Sequence, residues 1–413
     1  MKYIIIIPDG MADLGIKKLD GKTPMEFAHT PVMDRLSASA EMGMVNTIPE
    51  GFPPGSDTAN LSVMGYDPGK YHTGRSPLEA ISLGLELKED DMVFRCNLVT
   101  LSDEPEYRDR TMMDHSAGEI SSEYSAILID HIKAGLQTDS IRFYSGVSYR
   151  HIMIWKSGRG DTGLTPPHDI LEKKIAPYLP SGDGAEIIMS LMEGSSRMLQ
   201  AHPLNRARLE AGYRPANSIW LWGQGKKPYL DSFYDKYGLR GSVISAVDLI
   251  RGIGKCIGLE TVEVEGITGT INTNYIGKAK AATDEVLSGK DFVYVHIEAP
   301  DECSHQGDLE DKIKAIEMID EKVIGNIEEA MNKSGQDYRL MILPDHPTPI
   351  SLRTHTADPV PFLIFNSRQA RNTSIKSEKG FSEKTAGATG TVIKRGYLLM
   401  DHFIKESLSG DSS

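Results

Sequence analysis

Carboxylate and imidazole side chains recur in short segments that follow apolar stretches of the chain. The segment APDECSHQGD places Asp301 and His305 four residues apart, a spacing that puts two side chains on one face of a helix. LPDHPTP contains an adjacent Asp and His, LRTHTADP adds a histidine, and IPDG adds an aspartate near the start of the chain. The complete set of oxygen and nitrogen donors is Asp9, Asp301, His305, Asp345, His346 and His355.

This donor set is suited to a pair of divalent metal ions. A single loop histidine is more often structural or solvated, so the prediction depends on three carboxylates and three imidazoles occurring together. Mixed nitrogen and oxygen ligands favour Mn²⁺ or Zn²⁺, and Mg²⁺ remains possible although imidazole suits it less. Two ions roughly 3.5–4 Å apart can bind the attacking and leaving oxygens of a phosphoryl transfer. The predicted chemistry is therefore metal-dependent phosphoryl transfer.

A serine at a predicted helix start supplies a nucleophile for that chemistry. Ser56 lies in GFPPGSDTANLSVMGYDPG (residues 51–69), behind Gly and Pro residues that end a loop and before an apolar pattern with helical spacing. Ser is a preferred N-cap residue, so helix capping is one interpretation. The other interpretation is a nucleophile held where helix N–H groups receive a phosphate anion. With the predicted metals, Ser56 becomes a metal-activated alkoxide.

Three apolar, β-branched segments are predicted to position these residues. KYIIII near the amino terminus, DFVYVHIEAPD at 291–301 and YRLMILPDH at 338–346 each run into an aspartate. Between the last two, DLEDKIKAIEMIDEKVIGNIEEAM has the spacing of an amphipathic helix that crosses over between parallel strands. We therefore predict a doubly wound α/β fold with a mostly parallel sheet. Ligands of such sheets bind outside the carboxyl ends of the strands, where the aspartates lie.

The middle of the chain has a different composition and is predicted to be an inserted domain. Turn residues and arginines are frequent there, and a few of the arginines are expected to grip phosphate or carboxylate while most are solvated. We predict a smaller α/β substrate-binding domain at residues 89–214 and a metal-binding domain formed by residues 1–88 and 215–413. The arginines of the insert are Arg95, Arg108, Arg110, Arg142, Arg150, Arg159, Arg197, Arg206, Arg208 and Arg214.

Composition limits the partners of the chain. A formal net charge of −13 over 413 residues argues against a protein that binds duplex nucleic acid, which needs a basic face. No apolar run is long enough for a membrane span, and MKYIIIIPDG breaks at Pro8 where a signal peptide would continue. Three cysteines suit reduced thiols. We expect a cytoplasmic enzyme that acts on a small phosphorylated metabolite, with no nucleic acid or membrane partner.

Six segments together resemble a known family. IPDGMAD, PPGSDTANLSVMGYDP, GRSPLEA, FRCN, APDECSHQGD and DHPTPISLRTHTADPVP are similar, in order and over nearly the whole chain, to archaeal-type cofactor-independent phosphoglycerate mutases of the alkaline phosphatase superfamily. The resemblance implies an alkaline phosphatase-like fold interrupted by a substrate-binding domain, and a phosphoryl group carried by Ser56. It further implies one ion bound by Asp9, Ser56, Asp345 and His346, and a second bound by Asp301, His305 and His355.

One segment departs from the family pattern. Archaeal-type mutases typically carry a motif of the form DRRAGR, whereas residues 114–119 here read DHSAGE. Three arginines are absent and Glu119 adds an anion, which weakens the expected grip on phosphoglycerate unless other arginines compensate. A related branch with a similar segment has been proposed to contain homoserine kinases, and Glu119 could pair with the ammonium group of homoserine.

Two functions therefore compete, and the mutase is the main prediction. In the mutase, Asp114 is the expected acid/base, and Arg75, Arg150, His115 and Glu119 are the expected substrate-binding residues. Arg75 could instead form a loop salt bridge, and Arg150 could simply be exposed at a strand edge. The alternative is a homoserine kinase-like phosphotransferase with the same two metals, although no Walker-type phosphate loop is present. Simple phosphatase activity and a non-enzymatic binding module rank lower.

Overall fold

The computed structural model describes residues 1–159, 162–371 and 380–405. The chain divides into two compact units: unit 1 contains residues 1–72 and those from 229 onward, and unit 2 contains residues 73–228. The strands are β1 (Lys2–Pro8), β2 (Glu41–Val45), β3 (Met92–Leu101), β4 (Met112–Asp114), β5 (Ile141–Tyr144), β6 (Arg150–Trp155), β7 (Thr162–Gly163), β8 (Ser181–Gly182), β9 (Ser218–Lys226), β10 (Gly241–Ile244), β11 (Glu260–Thr261), β12 (Phe292–Ile297), β13 (Tyr338–Ile342), β14 (Val360–Asn366) and β15 (Val392–Ile393).

Helices flank these strands in both units. They are α1 (Pro24–Phe27), α2 (Pro31–Ser37), α3 (Ser56–Val63), α4 (Pro68–Tyr71), α5 (Ser76–Ser82), α6 (Ser122–Leu136), α7 (Ala185–Gln200), α8 (Pro203–Glu210), α9 (Phe233–Tyr237), α10 (Asp248–Cys256), α11 (Tyr275–Leu287), α12 (Ala299–Gln306), α13 (Leu309–Ile319), α14 (Gly325–Ser334), α15 (Ser367–Ala370), α16 (Glu383–Gly387) and α17 (Leu399–Lys405). Within the described residues, no helix combines the length and apolar character that crossing a bilayer requires.

Unit 1 is built on a sheet with the strand order β11-β10-β12-β1-β13-β14-β2-β15. Strand β1 pairs in parallel with β12 and β13, and β10 pairs in parallel with β11 and β12. Only the pairs that involve β14 are antiparallel in this sheet as described. The apolar residues of β1 are fully buried, as expected for a strand covered on both faces. The predicted α/β class with a mostly parallel sheet is confirmed.

The crossover between β12 and β13 is helical, but it is not one regular helix. Helix α13 leads into a π-helical segment at Asp320–Ile324, and α14 continues from it. The buried carboxylate of Asp320 accepts hydrogen bonds from the N–H groups of Val32 and Met33 at the start of α2. This contact joins α2 to the π-helical segment. The spacing of apolar residues along the sequence does not predict it.

Unit 2 contains an antiparallel sheet in the order β4-β3-β6-β5, with β9 paired to the other edge of β3. Every residue of β3 is buried, and α6 and α7 contribute to the core around it. The helices of this unit therefore do not serve as crossovers between parallel strands.

The boundaries of unit 2 lie outside the predicted range of 89–214. Helix α5 packs on β3 and β9, so the unit already begins at residue 73. Strand β9, which the sequence prediction placed in the metal-binding domain, pairs with β3 from Val99–Ser218 to Met92–Lys226. The turn signals near residue 214 precede this strand, and the pairing that assigns it to unit 2 joins residues more than a hundred positions apart.

Candidate active site

Parallel pairing brings the three aspartate-bearing loops of unit 1 to one edge of the sheet. Pro8 at the end of β1 pairs with Ile297 at the end of β12, and Ile6 pairs with Ile342 at the end of β13. Asp9, Asp301 and Asp345 follow these strand ends and are all buried. The amide of Gly10 donates a hydrogen bond to Asp345 Oδ1 at 3.2 Å, which ties the first loop to the third.

The six donors predicted from the sequence lie together in unit 1. His346 Nε2 is 3.5 Å from both Asp9 Oδ1 and Asp345 Oδ2. His355 Nε2 is 3.4 Å from Asp301 Oδ1, and His305 Nε2 is 3.2 Å from Asp301 Oδ2. Two overlapping groups have ligand atoms close enough to share an ion: Asp9 with Asp345 and His346, and Asp301 with His346 and His355.

Ser56 lies beside this cluster, as the first residue of α3. Gly55 is the N-cap and makes no side-chain capping hydrogen bond, so Ser56 does not have the capping role considered for it. Its Oγ lies 3.1 Å from His346 Nε2, and its carbonyl accepts a hydrogen bond from Asn60 Nδ2 at 2.8 Å. The hydroxyl therefore faces the donor atoms while the backbone is held from within the helix.

The buried carboxylates of the cluster create negative charge that a cation would neutralise. Burial, and then the neighbouring carboxylates Asp345 and Asp301, raise the pKa of Asp9 well above its ordinary value. Hydrogen bonding to Asp301 raises the pKa of His305 to about 9. Asp9 Oδ1 is buried and has no hydrogen-bond partner among the residues that the structure describes. Converging buried carboxylates with an unsatisfied oxygen are what a bound cation stabilises, so the residues present fit divalent metal ions.

The orientation of His305 also fits a metal ligand. Its Nδ1 lies 3.0 Å from the carbonyl oxygen of Arg353, which can only accept, so Nδ1 carries the hydrogen. This bond leaves Nε2 directed at Asp301 and at His355 Nε2, which is 3.0 Å away. A backbone carbonyl that fixes a ring nitrogen in this way is typical of histidine ligands in metal sites.

Sequence reasoning missed Asn60, which contacts the cluster directly, and Tyr294, which contacts it through Asn60. Asn60 Nδ2 donates to Asp345 Oδ2 at 2.8 Å, and Tyr294 OH donates to Asn60 Oδ1 at 2.6 Å. The signal available for Asn60 was its position four residues after Ser56 on the predicted helix. Tyr294 lies in the strand β12, where a tyrosine is unremarkable from its sequence context.

His296 is a third residue that the sequence prediction left out. It is fully buried, its Nε2 is 3.2 Å from Asp9 Oδ2, and the pair lacks hydrogen-bond geometry. Burial lowers the pKa of His296 to about 4, so the ring is neutral beside the carboxylate. A polar residue within the apolar strand segment FVYVHI was the available signal.

The residues predicted to bind substrate all belong to unit 2. Asp114 ends β4, and its Oδ1 accepts from both the amide and the hydroxyl of Ser116 at 2.7 Å. Although burial opposes it, these hydrogen bonds and Arg214 hold the pKa of Asp114 below its ordinary value. Asp114 is therefore an anion whose position is fixed by its hydrogen bonds from Ser116. Glu119 is exposed in the same turn and has a left-handed backbone, with φ of 49°.

Three arginines of unit 2 lie near one another. Glu79 joins two of them, with Arg75 Nε at 3.1 Å from Oε1 and Arg95 Nε at 3.1 Å from Oε2. The salt bridge considered for Arg75 is therefore present. The pKa of Arg95 is lowered to about 10, chiefly by burial and also by the positive charges of Arg75 and Arg150, although Glu79 opposes this shift. The sequence prediction did not select Arg95.

An aromatic layer connects these arginines to His115. The guanidinium of Arg150, which is exposed at the start of β6, lies 5.5 Å from the ring centre of Tyr149. His115 packs edge-on against Tyr149 at 5.6 Å and lies 6.2 Å from His168. The layer ends at Trp222, which lies 5.2 Å from His168 and beneath the guanidinium of Arg95 at 4.7 Å.

Known proteins are similar to this chain over most of its length. A family model described as 2,3-bisphosphoglycerate-independent phosphoglycerate mutase matches residues 37–205. A probable enzyme of that name from Geobacter sulfurreducens is 50% identical over 401 residues, covering 97% of this chain and 99% of that protein. One from Methanothrix thermoacetophila is 48% identical over 390 residues, covering 94% and 96%.

Solved structures are similar over the same extent. A protein from Pyrococcus horikoshii has a TM-score of 0.79 at 29% identity, covering 100% of this chain and 99% of that one. A cofactor-independent phosphoglycerate mutase from Thermoplasma acidophilum has a TM-score of 0.64 at 25% identity, covering 98% and 100%. The fold of this chain is therefore shared with a solved cofactor-independent phosphoglycerate mutase.

Proposed function

This chain belongs to the family of 2,3-bisphosphoglycerate-independent phosphoglycerate mutases, and from that membership we propose that it interconverts 2-phosphoglycerate and 3-phosphoglycerate through a phosphoserine at Ser56. The observation that carries the proposal is the position of Ser56 Oγ, 3.1 Å from His346 Nε2 beside a buried set of carboxylates and imidazoles. A hydroxyl in such surroundings is suited to attack phosphorus.

Two divalent metal ions belong to this proposal, with Mn²⁺ or Zn²⁺ favoured and Mg²⁺ possible by the donor chemistry. The residues that would hold one ion are Asp9, Ser56, Asp345 and His346, and those that would hold the other are Asp301, His305 and His355. When bound, the ions lower the cost of negative charge on the serine oxygen and on the phosphoryl oxygens. The unsatisfied Asp9 Oδ1 supports this assignment.

The proposed reaction has two phosphoryl transfers. Ser56 loses its proton, Oγ forms a bond to phosphorus, and the bond between phosphorus and the C3 oxygen breaks as that oxygen takes up a proton. The C2 hydroxyl of the retained glycerate then loses its proton, and its oxygen forms a bond to phosphorus. The bond between phosphorus and Oγ breaks, and Oγ takes up a proton, which regenerates Ser56. We assign the proton of the attacking hydroxyl to Asp114, because this carboxylate is ionised and is held in position by Ser116, and its lowered pKa makes it a weak base.

The glycerate must stay bound between the two transfers, which requires residues that bind its carboxylate. We assign this carboxylate-binding role to Arg75, Arg95 and Arg150 of unit 2, together with His115. Guanidinium groups bind carboxylates through paired hydrogen bonds, and a bound anion would offset both the burial of Arg95, which is the main cause of its lowered pKa, and the repulsion from Arg75 and Arg150. If the substrate is phosphoglycerate, these arginines replace the positive charges of the three motif arginines that the segment DHSAGE lacks.

A homoserine kinase-like phosphotransferase is the second candidate. The observation that favours it is Glu119, an exposed carboxylate in the turn that also holds Asp114. Glu119 stands where the family pattern has an arginine, and a carboxylate can pair with the ammonium group of an amino acid. The same metals and arginines would then serve a nucleotide donor and the carboxylate of homoserine.

Phosphorus NMR separates the two functions. The purified chain is incubated with Mn²⁺ and 3-phosphoglycerate, and separately with Mn²⁺, ATP and homoserine. We expect the 2-phosphoglycerate resonance to grow in the first sample and the ATP resonances to stay unchanged in the second. Consumption of ATP with formation of a phosphate ester, and no change in 3-phosphoglycerate, would replace the mutase by the kinase.

Substitution of Glu119 provides a second discrimination. In a mutase, Glu119→Gln leaves kcat/KM unchanged or raises it, because the change removes an anion that repels phosphoglycerate. In a kinase, the loss of a charge-assisted hydrogen bond worth about 1.5–3 kcal/mol lowers kcat/KM for homoserine roughly tenfold to a hundredfold. Glu210→Gln, at another exposed position of unit 2, is the matched control.

A further inference from the structure

A buried threonine lies between the two donor groups of the cluster. Thr348 belongs to the loop that follows β13, two residues after His346, and is fully buried. Its Oγ1 lies 2.5 Å from Asp301 Oδ1 and 3.2 Å from His346 Nδ1. Asp301 and His346 are donors of different groups in the proposed assignment, so one hydroxyl contacts both halves of the site.

The directions of these two hydrogen bonds follow from the chemistry of the partners. An ionised carboxylate only accepts, so the single hydroxyl hydrogen of Thr348 points to Asp301 Oδ1. The hydroxyl oxygen is then left to accept, and its remaining neighbour is His346 Nδ1. A neutral imidazole has one N–H, so this bond places the hydrogen on Nδ1 and a lone pair on Nε2. Nε2 is the atom that faces Ser56 Oγ at 3.1 Å.

The backbone of Thr348 is fixed by buried polar contacts. Its carbonyl accepts a hydrogen bond from Lys312 Nζ at 3.0 Å, and its amide donates to the carbonyl of Ala12 at 3.2 Å. Lys312 is itself fully buried and paired with Asp13 Oδ2 at 2.8 Å. The hydroxyl is therefore presented from a backbone that is anchored to the first loop of the site.

Close packing leaves this hydroxyl little freedom. A Cβ atom at Gly10 would lie 2.6 Å from both Asp301 Oδ1 and Thr348 Oγ1, so the glycine backbone lies directly against the hydrogen bond. A backbone this close leaves little room for the threonine side chain to move. This geometry suits Thr348 to hold the side chains of Asp301 and His346 in position.

We propose that Thr348 is a positioning residue that couples the two donor groups by orienting the Asp301 carboxylate and selecting the Nε2 lone pair of His346. The inference rests on the proposed two-ion site. Hydrogen-bonding partners of metal ligands typically change metal affinity about tenfold to a hundredfold when they are removed. Neither the ligands themselves nor Ser56 is altered by substitution of Thr348.

Direct metal titration tests this role. Metal-free full-length protein is prepared with a chelator and titrated with Mn²⁺, and free Mn²⁺ is measured by electron paramagnetic resonance. We expect Thr348→Val, which preserves shape, and Thr348→Ala to bind Mn²⁺ about tenfold to a hundredfold more weakly than the wild type. Thr348→Ser retains the hydroxyl and is expected to restore most of the affinity.

The control is a second buried threonine of unit 1. Thr58 is fully buried in α3, and its hydroxyl has no hydrogen-bond partner in the described part of the chain, so Thr58→Val should bind Mn²⁺ like the wild type. Thermal unfolding of each metal-free variant shows that the chains are folded, and Thr348→Ala serves if Thr348→Val does not fold.

The outcomes distinguish this inference from the proposed function. Equal Mn²⁺ affinities of Thr348→Val, Thr348→Ala and the wild type overturn the inference and leave the proposed function standing. A wild type that binds Mn²⁺ but does not convert 3-phosphoglycerate overturns the mutase, while weaker binding by the two variants still supports the role of Thr348. A wild type that binds no divalent ion overturns both.

Discussion

At the scale of single residues, the active site concentrates groups that oppose folding. Asp9, Asp301 and Asp345 are buried carboxylates within one cluster, and buried charges are costly unless they are paired. The neighbouring imidazoles and the hydrogen bond from Asn60 to Asp345 offset part of that cost. The proposed cations would offset more, and the chemistry of these residues and the stability of unit 1 would then depend on the same ions.

Ser56→Ala is expected to abolish phosphoryl transfer and to leave the fold intact. The alanine has no nucleophilic oxygen, and because Gly55 is the N-cap, the substitution removes no capping hydrogen bond. The free energy of unfolding should change by only about 0.5 kcal/mol. Turnover of 3-phosphoglycerate and urea unfolding are measured for this variant and for a control in the same helix, Ser62→Ala. The Ser62 hydroxyl has no hydrogen-bond partner within the described ranges. Normal turnover by Ser56→Ala would end the nucleophile assignment.

Arg95→Met is expected to weaken substrate binding without disabling Ser56. Methionine keeps the packing on Trp222 but loses the charge next to Glu79. We expect kcat/KM for 3-phosphoglycerate to fall about tenfold to a hundredfold, the value of one charge-assisted hydrogen bond. Hydrolysis of p-nitrophenyl phosphate, which has no carboxylate, should change little.

The control for that prediction is Arg206→Met, at an exposed position of α8 in the same unit. An unchanged kcat/KM in Arg95→Met, or an equal loss in both variants, would remove Arg95 from the proposed carboxylate-binding residues.

At the scale of elements, strand ends and tight turns position the site. Strands β1, β12 and β13 are parallel neighbours, so the loops that follow them meet at one edge of the sheet. Gly10 begins the first of these loops with φ of 62°, in the left-handed region that favours glycine. The turn brings the backbone against Asp301 and Thr348, where a side chain has no space.

Gly10→Ala is therefore expected to damage the metal site more than the fold. The left-handed backbone costs a non-glycine residue about 1–2 kcal/mol, and the added methyl group displaces Asp301 and Thr348. We expect Mn²⁺ affinity to fall at least tenfold, measured by the same titration. Gly21→Ala, with a similar φ and nothing within 4 Å of its added Cβ, controls for the backbone cost. Equal Mn²⁺ affinities of the two variants would show that the close approach at Gly10 is unimportant.

At the scale of the molecule, two units each have their own sheet and their own apolar core. All three tryptophans, Trp155, Trp220 and Trp222, lie in unit 2, so tryptophan fluorescence follows the unfolding of that unit. The proposed metal ligands lie in unit 1. Tryptophan fluorescence therefore reports on unit 2, whereas binding of Mn²⁺ would report on unit 1.

Unit 2 is expected to lose stability below about pH 6.5 because of His151. Burial, with a contribution from Lys133, lowers the pKa of His151 to about 3 from 6.5, so the folded state stays neutral while the unfolded chain takes up a proton. The unfolded state binds more protons between these values, and stability falls as the pH falls. The loss from pH 7 to pH 5 is about 2 kcal/mol for this group.

Urea unfolding followed by tryptophan fluorescence at the two pH values measures this effect. His151→Gln does not titrate and can still accept the hydrogen bond that His151 Nδ1 receives from the Gly146 amide. Its free energy of unfolding should therefore fall less between pH 7 and pH 5 than that of the wild type. Parallel losses in the two proteins would contradict the role of His151.

Much of the architecture and the identity of the donors could be predicted from local sequence alone. Apolar, β-branched runs that end in Asp specify buried strands and the loops after them, because strand burial on both faces leaves a pattern that is readable over six to seven residues. The order of the motifs was sufficient to identify the family, which the relatives confirm. The roles assigned to Ser56 and to the individual ligands remain predictions.

Only the tertiary structure decided which of these groups touch and what holds them. Thr348 reaches Asp301, Asn60 reaches Asp345, and Arg95 shares Glu79 with Arg75, although neither apolar periodicity nor residue spacing selects these partners. The pairing of β9 with β3 moved the boundary of unit 2 for the same reason. Periodicity reports how each segment is buried, whereas a hydrogen bond between distant residues depends on how the whole sheet and its helices pack.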